Sequence, residues 1–227
     1  MKSTDKEDNK VALAIFDLDN TLIGGDSDYL WGQYLAEQGV VDGDYYESEN
    51  QRFYAEYKAG ELDIHEFLRF SLKPLARHAM ADLQRWRSAF IAEKIEPLIL
   101  PAAEMLVDGH RIEGDTLLIV TATNRFVTEP IAERFGISNL IATEPEIRAG
   151  RYTGEVKGTP SFQQGKVERL NDWLAENGET LQGSCFYSDS HNDLPLLELV
   201  ERPVAVDADE TLLQHARARG WETISLR

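Results

Sequence analysis

Six consecutive apolar residues, 11 to 16 in the stretch VALAIFDLDNT, stop abruptly at two aspartates, Asp17 and Asp19. A strand apolar on both faces must be covered on both. That favours a parallel sheet between layers of helices over an antiparallel sheet with one wet face. Shorter runs repeat the pattern at residues 116–120, 184–187 and 204–206, with residues 222–225 as an edge strand. Helical spacing fills the gaps over residues 126–135, 166–174, 194–200 and 211–218, and a glycine or proline follows most of these segments. Strand alternating with helix predicts an α/β fold, a doubly wound, Rossmann-like parallel sheet.

Residues 26–98 break that rhythm. Stretches such as YLWGQYLAEQG and DIHEFLRFSLKPLA are helical in pattern, aromatic and acidic, with no convincing strand. The predicted organisation is therefore a core of residues 1–25 and 99–227, with residues 26–98 inserted after the first strand as a small helical cap over the sheet's ligand edge. The segment IATEPEIRAGRYTGEVKG, with its glycine turn, predicts a β-hairpin.

The chain's 227 residues include 23 basic and 40 acidic ones, a net charge of −17. Such acidity argues against nucleic acid or an anionic membrane as partner. An anionic small molecule needs local donors or a metal to reverse the field. The single cysteine, Cys185, excludes an intramolecular disulfide and reads as a buried thiol in the apolar CFY stretch. The first ten residues, MKSTDKEDNK, lack the apolar centre of a secretory signal, and no run approaches the ~18 apolar residues of a membrane span. The expectation is a cytoplasmic protein, monomer or homodimer.

Ligands of open α/β sheets bind outside the carboxyl ends of the strands. Asp17, Thr121 and Asp189 each follow a predicted strand, so neighbouring strands would bring them to one crevice. Crowded carboxylates repel, and one takes up a proton unless a cation intervenes. A hard divalent ion with oxygen ligands removes that penalty. A carboxylate can also attack phosphorus, and a second can protonate the leaving alkoxide and then activate water. Asp17 and Asp19, two residues apart in extended chain, face the same side. Thr121, the backbone N–H of Ala122, Lys166 and Asn192 are candidate donors to the phosphoryl oxygens.

DLDNT at 17–21, IVTATN at 119–124, GK at 165–166 and SDSHND at 188–193 stand in the order and spacing of the haloacid dehalogenase-like hydrolases. From about residue 11 onward the chain resembles their phosphoserine-phosphatase-like branch, which carries a helical cap between the first two motifs. The resemblance implies a phosphatase acting on a small phosphate ester. It implies that Asp17 is the nucleophile and a Mg²⁺ ligand, and that Asp19 is the general acid/base whose carbonyl also meets the metal. By the same resemblance Thr121 and Lys166 hold phosphoryl oxygens, Lys166 also offsets charge on the nucleophile, and Asn192 contacts phosphate. Asp189 is implied as a metal ligand, with Asp193 supporting the metal site. None of Asp17, Asp19, Lys166 and Asp189 is lost, which argues against a non-catalytic relative. A phosphotransferase or mutase would use the same nucleophile and stays an alternative.

Asp26, just after Gly24 and Gly25, falls where that branch carries an acid facing a substrate amine. The branch's carboxylate-binding arginine would fall near Ser71, with Arg69 two residues away. Lacking that guanidinium, the cap suits a substrate with a phosphate and an amine but no carboxylate. Histidinol phosphate is the first candidate and phosphoserine the second, both intermediates of amino-acid biosynthesis. Tyr29, Trp31 and Trp86 read as packing aromatics or partners for an imidazole ring. His191 reads as an exposed loop residue, and His65, His78, His110 and His215 as surface or cap residues without metal-ligand spacing.

Overall fold

The computed structural model describes residues 12–227. The first residue of the predicted opening strand, Val11, and the polar N-terminal stretch lie outside the described residues. The main sheet comprises β1 (Leu13–Phe16), β2 (Thr116–Asn124), β3 (Asn139–Thr143), β6 (Cys185–Ser188), β7 (Arg202–Val206) and β8 (Glu222–Ile224). They lie in the order β3-β2-β1-β6-β7-β8, and every pairing is parallel. The doubly wound sheet expected from the apolar runs is therefore present. Its strand order reverses beside β1, which sits between β2 and β6. Asp17 thus leaves the sheet at the point where a crevice opens.

The two faces of β1 enter separate layers. Leu13 and Ile15 join Leu118, Val120 and Phe186 under Leu170, Leu196 and Leu212. These last three come from α8 (Gln164–Asn177), α9 (Leu194–Leu197) and α10 (Glu210–Arg219). Ala14 and Phe16 face the opposite layer with Val107 and Ile131, from α6 (Pro101–Glu113) and α7 (Arg125–Arg134). Cys185 is buried, as its apolar neighbours predict.

Between β1 and β2 the chain forms α1 (Ser27–Glu37), α2 (Gly43–Ala59), α3 (Ile64–Ser71), α4 (Lys73–Arg77) and α5 (Met80–Phe90), with a π-helical turn at Ile91–Ile95. Trp31 and Phe90 pack edge to face and join the core beneath, while Tyr46, Phe53 and Phe70 make a small core among the helices themselves. The chain enters and leaves this helical segment through paired connections: Ile23 bridges Ile99, and the N–H of Gly24 donates to the Leu98 carbonyl at 2.8 Å. A Cβ on Gly25 would stand 2.9 Å from Leu98 Cδ1, so any larger residue there would have to move the Leu98 side chain.

Three elements differ from the sequence expectation. β2 runs on through Thr121 to Asn124, with a register shift against β3 after Val120; the polar TATN reads as loop because its side chains are buried by the site, not by hydrocarbon. The stretch predicted to open the hairpin joins the main sheet as β3, leaving β4 (Pro145–Arg148) and β5 (Arg151–Val156) as the antiparallel pair. Helix α6 begins at Pro101, a residue suited to the first helical turn, where the sequence suggested only the end of the helical insert. No helix among the described residues is long and apolar enough to cross a membrane.

Candidate active site

Asp17 prolongs β1: its N–H donates to the Tyr187 carbonyl at 2.9 Å. One carboxylate oxygen accepts from Lys166 Nζ at 2.8 Å, and Lys166 also reaches Asp193 at 2.7 Å. All three side chains are buried. Lys166 arrives from the first turn of α8, where Gly165 is indispensable because a Cβ there would lie 2.1 Å from the Pro160 carbonyl oxygen. Asp193 accepts a further bond from Ser188 Oγ at 2.8 Å. On the far side of Asp17, Thr21 Oγ1 stands 3.5 Å from Asp17 Oδ2 and 3.3 Å from Asp189 Oδ1. The Asp189 N–H donates to the same hydroxyl at 3.1 Å. Asp17 and Asp189 therefore face one space, as the strand neighbours require.

Asp19 is fixed by two elements at once. Oδ1 accepts the N–H of Ser27, at the start of α1, at 2.6 Å, and Oδ2 accepts Thr123 Oγ1 at 2.8 Å. Thr121 Oγ1 lies 3.4 Å from Oδ2. Thr121 and Thr123, two apart on β2, share one face of the strand.

Charge at this edge is unbalanced. Burial pushes the Asp17 carboxyl up to about 7; the Lys166 ammonium opposes the rise, and the Asp193 charge adds to it. Asp189 is raised well above the carboxylate range by burial, then by Asp17 and Asp193. Burial also raises Asp19 against the pull of its Ser27 and Thr123 bonds. For Lys166, burial disfavours the charge, but Asp17 and Asp193 outweigh it and hold the ammonium firmly protonated. Among the described residues one cation thus serves four clustered carboxylates, Asp17, Asp19, Asp189 and Asp193. The unmet negative charge and the oxygen donors of Asp17 and Asp189, which meet at Thr21, fit a hard divalent cation. Asp193 has its carboxylate engaged by Lys166 and Ser188 instead.

Of these groups Asp17, Asp19 and Lys166 floor an open pocket that also reaches Thr121 and Ala122, while Asp189 and Asp193 stand behind Asp17. Its outer wall comes from α1 to α3: the carboxylates of Asp26 and Asp28, the amide of Asn50, and the rings of Tyr29, Phe53, Tyr54, Tyr57 and Phe67. Among the described residues no arginine lines it, and Lys166 is its one cationic side chain. Arg69 is exposed. Asp26 caps α1, accepting the N–H groups of Asp28 and Tyr29 at 3.0 Å each; burial, then the Asp19 charge, lifts it to about 7.

Asn192 is engaged away from the pocket. Its amide donates to the Tyr57 carbonyl at 3.1 Å and accepts from Gln163 at 2.8 Å, tying the end of α2 to the loop after β6. Thr21, Ser27, Thr123 and Asp28 were not singled out by the sequence reading. Thr21 carried a signal as the last residue of DLDNT, and Thr123 as the period-2 partner of Thr121; Asp28 needed the fold. Of the aromatics, Tyr29 lines the pocket, whereas Trp31 and Trp86 pack, the latter against His78. His191 is half-buried rather than exposed, its Nδ1 2.8 Å from Asp209. His110 is buried, not superficial: its ring nitrogens meet Asp115 at 2.7 Å and the Tyr187 hydroxyl at 2.8 Å, and its ring packs on Phe16 and Tyr187 of the central strands β1 and β6. Glu113 completes a metal-like trio with His110 and Asp115, but both imidazole nitrogens are already engaged.

A parallel sheet with this order, carrying carboxylates at the ends of β1 and β6 and a buried lysine from α8, agrees with the match of residues 14–198 to the family model for the haloacid dehalogenase-like hydrolases. The chain belongs to that family. It is 50% identical over 219 residues to a histidinol-phosphatase of Neisseria meningitidis, covering 95% of this chain and 99% of that one. A crystal structure of a protein of unknown function from Bordetella pertussis superposes with a TM-score of 0.90 at 45% identity, over 96% of this chain and 100% of the other. A substrate-bound phosphoserine phosphatase shares the fold, with a TM-score of 0.71 at 18% identity over 96% and 94% of the two chains. With such relatives, the enzyme is a phosphatase.

Proposed function

We propose that the enzyme hydrolyses histidinol phosphate, with Asp17 as nucleophile and Mg²⁺ as cofactor. The observation that carries the substrate is the composition of the outer pocket: carboxylates and aromatic rings, with no guanidinium to take a substrate carboxylate. An ammonium fits beside Asp26, and an imidazole fits among the tyrosine and phenylalanine rings. The 50% identity to a histidinol-phosphatase supports the same choice. Phosphoserine, the runner-up, would leave its carboxylate facing acids.

In the reaction we assign, an Asp17 carboxylate oxygen attacks phosphorus and the P–O bond to the alcohol breaks. The leaving oxygen takes the proton of the Asp19 carboxyl, whose raised pKa suits a general acid. Water then attacks the aspartyl phosphate, its proton passing to the Asp19 carboxylate, and the P–O bond to Asp17 breaks to release phosphate. Lys166 and Thr121 hold phosphoryl oxygens, with the backbone of Ala122 beside them. We assign Asp193 to positioning Lys166. Mg²⁺, held by Asp17, Asp189 and the Asp19 carbonyl, would neutralise the clustered acids and the charge of the transferring group.

We read residues 26–98 as a cap, with its own small core and a paired neck at residues 23–25 and 98–99. The test is a panel of esters compared by kcat/KM in Mg²⁺. Histidinol phosphate should lead phosphoserine and sugar phosphates by at least tenfold, with inorganic phosphate as the sole phosphorus product when alcohols are added as acceptors. Phosphoserine in first place would overturn the substrate, and phosphorylated acceptors would point to a phosphotransferase.

A further inference from the structure

Asp28 is the pocket residue that neither the proposed chemistry nor the cap of α1 uses. It is only 8% exposed, lines the pocket, and forms no ion pair with any described residue. One oxygen, Oδ1, has the Asn124 amide at a long 3.5 Å; the other, Oδ2, is buried without a protein partner. Burial and the charges of Asp26 and Asp19 push its pKa well up. Two more buried groups nearby lack partners, Trp31 Nε1 and Ser71 Oγ. With Asp28 they border a smaller cavity behind the pocket, with room for roughly one water. Buried polar groups are ordinarily satisfied, so three unsatisfied ones against an otherwise apolar helical layer call for an explanation outside packing. Trp31 Nε1 only donates, and a water in the small cavity serves it and Ser71; the Asp28 acceptor, which also lines the main pocket, is the one that a ligand N–H can pair.

We infer that Asp28 is a second specificity residue, its carboxylate accepting a ring N–H from a phosphate ester that carries an azole as well as an amine. This rests on the proposed phosphatase reaction and deepens it: Asp26 takes the ammonium, Asp28 reads the ring. Position favours it. Asp28 lies in the first turn of α1, at the positive end of the helix dipole. Phe53 and Phe67 line the pocket with it and give a flat ring an aromatic wall. A ring lacking an N–H would leave the buried acceptor oxygen of Asp28 unpaired in the bound state, which is discrimination by an unmet acceptor.

The test compares three esters in Mg²⁺: histidinol phosphate, O-phosphoethanolamine and para-nitrophenyl phosphate. Asp28→Asn should lower kcat/KM for histidinol phosphate about tenfold to a hundredfold, mainly through KM, and change the other two less than about threefold. An equal loss on all three would make Asp28 structural and overturn the inference. A measurement on the unaltered enzyme is independent of how the variant folds: L-histidinol should inhibit at least about tenfold more tightly than its ring N-methyl isomers. Equal inhibition by all of them would also overturn it. If the unaltered enzyme prefers phosphoserine, the substrate reading has failed; if it prefers histidinol phosphate and Asp28→Asn matches it on every ester, only the role of Asp28 has.

Discussion

Replacing Lys166 by methionine removes the ammonium held between the buried carboxylates of Asp17 and Asp193 while keeping most of the side chain's volume. In the wild type, Nζ lies 2.8 Å from Asp17 and 2.7 Å from Asp193, and the lysine side chain is 4% exposed. Solvent screening is slight there, so deleting one partner of the pair should cost about 3–5 kcal/mol, because the remaining charges are stranded in a poor solvent for ions. At 227 residues that corresponds to a fall in Tm on the order of 10 °C. Both the cost and its origin are testable by calorimetry in chelator. Asp193→Asn removes one stranded charge, so the double variant should recover roughly 1–3 kcal/mol relative to the sum of the single changes. Turnover should be lost in Lys166→Met. A Tm within about 3 °C of wild type, with additive single changes, would mean that the ammonium is not sequestered against these acids, and the electrostatic account of the site would fail with it.

Asp17→Asn should abolish turnover while leaving the far-UV circular dichroism intact; a well-folded variant with normal rates would refute Asp17 as nucleophile. In chelator the same variant bears on pH dependence. The Asp17 carboxyl is lifted to about 7 in the folded chain, above its value of roughly 4 when unfolded. Its stabilising proton is therefore present below about pH 4 and lost as pH rises through 7. Asp17→Asn should accordingly gain on metal-free wild type between pH 4 and 7, by up to about 4 kcal/mol; denaturant titrations showing a constant gap would contradict this. Chelation should stop hydrolysis, with Mg²⁺ restoring it and Ca²⁺ restoring it poorly because its looser shell misplaces the nucleophile; full rates in metal-free protein would reject the metal. Asp26→Ser keeps a side chain able to cap α1 and removes the charge, so Tm should hold within a few degrees while kcat/KM falls at least about tenfold for amine-bearing esters and little for aryl phosphates.

What could be read from the sequence followed from rules that act along one segment. An all-apolar run needs two covered faces wherever it sits, so β1 and its parallel neighbours were legible. Asp17 and Asp19 were legible because spacing by two fixes their common side. The extension of β2 was not, since Thr121 and Thr123 are buried by a carboxylate on another strand, a partner no local pattern specifies. His110 was missed for the same reason: its neighbours Asp115 and Tyr187 come from different elements. Asn192 and Asp193 show the limit most clearly. The SDSHND motif puts both near a phosphate site, yet Asn192 binds the Tyr57 carbonyl from α2 and Asp193 binds Lys166 from α8.

Those two contacts also bear on how the pocket opens. The Tyr57 hydroxyl donates to Ser190 at 2.9 Å while its carbonyl accepts from Asn192, so the end of α2 is held at two points by the loop that carries Asp189. Burial, then the charges of Asp189 and Asp193, lifts the Tyr57 phenol well above its ordinary range, which keeps it a donor at working pH. Any movement of the helical segment away from the sheet must break both bonds beside the carboxylates of the site. Neutralising those carboxylates does not remove the bonds themselves, so on the proposed reading movement of the helical segment and metal binding are separable. Tyr57→Phe, which removes one tether and leaves every acid in place, should speed product release or weaken KM without changing the Mg²⁺ concentration for half-maximal rate. A shift in that concentration of more than about threefold would show that the tether and the metal site act as one unit.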